Sequence, residues 1–150
     1  MNIWLRRFLG FWPLAGSAIG LGAALPSLLR IQQLALGQQL VLGCTVALFT
    51  WGVWCGFSML EGHPSALRGN RNFWLLQIPI LHTPLLSYAL FSGAQFKATF
   101  NFSSTAFAVD WSLLAARLTV DLGAGRHTWI VGVNVVALLA TLYLSSKVKG

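Results

Sequence analysis

Acidic side chains are nearly missing from this sequence. Its 150 residues hold three, Glu61, Asp110 and Asp121, against ten Lys and Arg, for a net charge of +7. Charged residues of both signs make up 9% of the chain, where soluble domains carry about 25%. A water-facing surface cannot be built from so few charges. The hydrophobic share of 56% and the long apolar runs point to membrane spans instead. The basic residues form no stripe, and their longest run is Arg6-Arg7. Nucleic-acid binding asks for a basic patch, so no nucleic-acid partner is expected. Charges scattered at segment ends suit topogenic signals and contact with lipid headgroups.

Cysteine is scarce as well. Cys44 and Cys55 lie eleven residues apart in one apolar run. On a helix that separation is about 16 Å at ~1.5 Å per residue, beyond disulfide reach. Both read as packed thiols, and the close pair that redox chemistry needs is missing. Paired carboxylates and nucleophile motifs are missing too. Glu61 and His63 supply two ligands, where zinc takes three or four. The expectation is therefore no enzyme, no metal and no cofactor.

What is present in quantity is hydrophobic length. The reading is an all-α membrane protein, a single polytopic domain over 1–150 with four transmembrane helices at about 8–29, 40–60, 73–92 and 128–146. Arg6-Arg7 before the first run, with Ala23-Ala24 beyond it, also suits a secretory signal. That run exceeds the 7–15 residues of a signal core, so a retained helix is expected. Arg6, Arg7, Arg68, Arg71, Lys147 and Lys149 fall on one side of this arrangement; Arg30, Lys97, Arg117 and Arg126 fall on the other. The positive-inside rule then puts both termini in the cytoplasm. A bacterial inner membrane is expected from the chain's size and character alone.

The third run, Asn72–Ser92, has no charged residue but holds Pro79, Pro84, Gln77, His82, Thr83, Ser87 and Tyr88. As a helix it would lose two ladder bonds at its prolines, so it reads as an interior span packed among others. On a helical wheel Gln77, Pro84 and Tyr88 share a side and His82 points away. An ionisable residue within a span is a functional hypothesis by default. Here no second histidine or deep carboxylate accompanies it, and a neutral structural His82 is the stronger reading. Asn134 and Thr141, seven apart on the fourth run, share a face and can bond to the third.

Gly16 with Gly20, and Gly52 with Gly56, form two GxxxG spacings. Small residues four apart let helix backbones approach closely, so helix packing is expected there. The 93–127 stretch reads as a small extracytoplasmic β-rich loop. Phe96, Ala98, Phe100 and Phe102 alternate without a slip with Gln95, Lys97, Thr99, Asn101 and Ser103, the period of a half-buried strand. Residues 105–122 fit either a further strand or an amphipathic helix at the interface.

These readings leave two function classes. The first is a non-catalytic accessory or assembly subunit, its partners the lipid bilayer and another membrane protein, with an exposed strand edge in the loop able to pair. The alternative is a small homodimeric transporter or channel lined by the proline-kinked third helix.

Overall fold

The computed structural model describes residues 2–63, 65–122 and 129–148. The loop residues Arg126 and His127, the expected span start at 128 and Lys149 lie outside these. The element order is α1 (Ile3–Leu29), a one-turn 3-10 helix, α2 (Leu36–Glu61), α3 (Ala66–Leu76), β1 (Pro79–His82), β2 (Leu86–Asn101), β3 (Ala106–Leu122), β4 (Ile130–Asn134) and α4 (Val135–Val148). Four helices and a four-stranded antiparallel sheet replace the expected all-α, four-span architecture.

The first two runs form the expected helices. Asn2 caps α1 by accepting the Trp4 N–H at 3.1 Å. Gly62, in the left-handed region (φ 84°), closes α2. Its N–H reaches the Met59 carbonyl and the His63 N–H reaches Ser58, the bonding that satisfies the last carbonyls of a helix. Gln38 and Gln39 lock the connector, bonding the Ala35 N–H and the Ile31 and Leu34 carbonyls. Only α1 and α2, 27 and 26 residues long, are long and apolar enough to cross a membrane among the described residues.

The third run is not a span. Its first residues complete α3, which buries Ala66, Asn70, Phe73 and Trp74 on one face and turns Arg68 outward. Beyond α3 the chain turns to strand, and the two prolines are the reason. Proline lacks an N–H, so a sheet admits it at the start of a strand or in a turn. Pro79 is the first residue of β1. Pro84 sits in the β1–β2 turn, which Thr83 closes through bonds with both the N–H and the carbonyl of Leu86. A helix through both prolines would leave two carbonyls unsatisfied, whereas a strand start and a turn ask for no ladder donor at either proline. The fourth run divides as well. Ile130–Asn134 is strand, and the 14 residues of α4 give about 21 Å of helix, short of a ~30 Å hydrocarbon core.

The 105–122 tract is strand β3, paired along β2 from Leu86↔Leu122 to Asn101↔Ala106. On its other edge β2 pairs twice. Ser87–Ala89 meets β1, and Lys97–Asn101 meets β4. Because β1 and β4 also pair with each other, the three strands close into a ring. Closure demands a sharp bend in β2. It falls at Gly93 (φ 98°), where the register with β3 shifts. A left-handed φ suits glycine, which has no Cβ to clash. Here a Cβ would also sit 2.5 Å from the Trp12 carbonyl oxygen of α1.

A core of Leu9, Met59, Ala66, Trp74, Ala137 and Leu144 joins all four helices. α1 and α2 pack antiparallel: Gly10 meets Gly56, and Gly20 meets the Phe49 ring.

Candidate functional site

Successive strand residues point to opposite faces, so the register sorts the sheet into an inside and an outside. The inner face of the sheet carries an open cavity of about 350 Å³. His82 of β1, Lys97 and Thr99 of β2, and Arg117 and Thr119 of β3 line it, with Phe91 among the apolar remainder. Lys97 Nζ lies 2.6 Å from the Asp110 carboxylate across the β2–β3 ladder and 5.5 Å from the Phe91 ring centre. The hydrogen bond and charge of Lys97 hold the Asp110 carboxyl below its ordinary pKa. Arg117 is exposed at the cavity wall. Thr99 Oγ1 donates to the Ala108 carbonyl at 3.3 Å.

The outside is apolar. Three rows cross the distal sheet: Phe107, Phe100 and Val131; Val109, Ala98 and Val133; Trp111 and Phe96. Trp111 is 67% exposed, Phe107 66% and Val109 49%. A half-solvated sheet normally turns its apolar face inward; the distal half of this one reverses that order. Beside the rows, β3 is the last strand of the sheet and pairs on one side only among the described residues.

Buried amides complete the ring. Between its two pairing segments the β2 edge has no neighbouring strand. Gln77 Oε1 accepts the Ser92 N–H there at 2.9 Å. Asn134 Oδ1 accepts the Phe96 N–H at 3.3 Å and the Ala137 N–H at 3.4 Å. Both side chains are fully buried. They stand in for the missing strand, and Asn134 also caps α4. Ser92 fastens the bend to α1: its hydroxyl lies 2.8 Å from that of Ser17 and donates to the Pro13 carbonyl at 3.3 Å.

The residues singled out from the sequence therefore separate. Gln77 and Asn134 hold the edge of β2. Pro79 and Pro84 punctuate β1. Tyr88 donates to the Leu76 carbonyl at 2.8 Å, tying β2 to the end of α3, and burial raises its phenol pKa. His82 alone of this group lines the cavity. Gly52 and Gly56 face α1, the first against Ser17 and Phe73, the second against Gly10 and Leu14, whereas Gly16 faces the Ser92–Gly93 backbone rather than α2. Sequence reading did not single out Lys97, Thr99, Arg117 and Thr119 as a site. The alternation that set Lys97 and Thr99 on one face was the available signal; Arg117 joins them only through the β2–β3 register. No three His, Cys, Asp or Glu side chains gather as metal ligands among the described residues. Compared with protein-family models, curated proteins and solved structures, the chain gives no match.

Proposed function

We propose that the chain is a non-catalytic accessory protein, held in a membrane by α1 and α2, that docks on another membrane protein through the distal β2–β3 hairpin. The observation that carries this reading is the coincidence of the outer apolar rows with the unpaired edge of β3 over Ala106–Ser112. An exposed apolar edge strand in water templates aggregation. Hydrocarbon cannot cover it either, because lipid offers no partner for its N–H and C=O groups. A strand from another protein satisfies both demands: its backbone pairs with β3 and its side chains cover Phe107, Val109 and Trp111. The transporter alternative depended on a kinked third membrane helix, and residues 72–92 do not form one.

The test is native complex mass after extraction in mild detergent. A heteromeric complex is expected, lost in Val109→Lys combined with Trp111→Glu and kept in the connector variant Gln33→Lys. A species holding only copies of this chain, or a complex indifferent to the double substitution, would overturn the reading.

A further inference from the structure

The ring cavity has a chemistry that docking does not use. Lys97 and Arg117 come from β2 and β3, and Thr119 of β3 offers a hydroxyl beside them, while the Thr99 hydroxyl is held by the Ala108 carbonyl. Among the described residues neither Arg117 nor Thr119 makes an ion pair or a side-chain hydrogen bond within the protein. Arg presents a planar fork of donors suited to several oxygens of one anion, and Lys adds a point charge. Phe91, with Lys97 held over its ring, gives the cavity an apolar wall. The cations reach the cavity from neighbouring strand positions: Arg117 pairs with Phe91 across the β2–β3 ladder, the residue whose ring Lys97 overlies.

We infer that the open cavity lined by β1, β2, β3 and β4 binds a phosphate monoester through Lys97, Arg117 and the hydroxyl of Thr119. A volume of about 350 Å³ is at the small end of ligand pockets, which run from about 300 to 1,000 Å³. It holds a phosphate with a small organic group and leaves an acyl chain outside. Two sources share this chemistry: a water-soluble phosphoester and the headgroup of an anionic lipid. Asp110 competes for Lys97, so an incoming phosphate takes over the ammonium that the carboxylate holds. This inference stands independently of the docking reading.

The experiment uses the full chain in a neutral detergent and follows ³¹P line broadening. The probes are inorganic phosphate, glycerol 3-phosphate and dihexanoyl phosphatidic acid, with dihexanoyl phosphatidylcholine as the zwitterionic comparison. Saturable binding is expected, weakened roughly tenfold or more by Arg117→Gln through loss of a charge-assisted contact, and at least as tight in Asp110→Asn. Arg117 is exposed, so its substitution leaves the fold in place, which a thermal melt checks. Binding of glycerol 3-phosphate assigns a soluble ligand; binding of phosphatidic acid alone assigns a lipid headgroup. Both support the site. No binding of any phosphate probe, equal binding of phosphatidylcholine, or wild-type affinity in Arg117→Gln would each overturn it.

Discussion

Two amide side chains hold the sheet together at the point where it has no strand to hold it. Gln77 and Asn134 bond the Ser92 and Phe96 N–H groups on the bare stretch of the β2 edge. Replacing either by Leu keeps the volume nearly constant and strands a buried donor, at a cost of about 1–3 kcal/mol. Chemical denaturation of Gln77→Leu in detergent should show a loss in that range. An unchanged midpoint would mean that the gap is not sealed by this side chain. From the sequence both residues were visible as polar groups in apolar runs; hydrogen bonding was the expected role of Asn134, and Gln77 was expected in a polar pathway or structural cluster. Their partner was not visible, because it is backbone brought near by ring closure. Asn134 did carry a local signal: Asn before Val-Val-Ala is a helix N-cap pattern, and it marks where β4 gives way to α4.

Among the elements, the helix pair depends on glycine for close approach. A side chain at Gly56 would meet the Gly10 carbonyl oxygen at 2.6 Å and the Leu14 backbone nitrogen at 2.7 Å, whereas Gly22 has nothing within 4 Å. Gly56→Leu should therefore cost about 1–3 kcal/mol through overpacking, and Gly22→Leu should leave stability nearly unchanged. Comparable losses in thermal melts of both variants would contradict this packing. The strand alternation at Gln95–Ser103 was legible because period two depends on nothing outside the segment. The 72–92 run was not. Its length and lack of charge match a membrane helix, and only the placement of Pro79 and Pro84 at a strand start and a turn separates the two structures. That choice is made by pairing with β2 and β4, whose partner residues lie 5 to 54 positions further along. GxxxG spacing likewise marked Gly16 for close packing without telling a helix from a bent strand as the neighbour.

For the whole molecule, the sheet joins two surfaces of opposite character: a cationic interior and an apolar exterior next to an open strand edge. Composition alone required apolar surface to be covered, and α1 and α2 supply lengths that a bilayer can cover. The hairpin rows need a partner able to hydrogen-bond, which lipid is not. The most direct test places a photo-crosslinking residue at Trp111 or, in a second variant, at Phe107, and illuminates native membranes. The account predicts one adduct of a discrete second protein from both positions, lost when Val109→Lys is added, with the crosslinked peptide of the partner in extended register along β3. Adducts with lipid alone, or only with another copy of this chain, would contradict it.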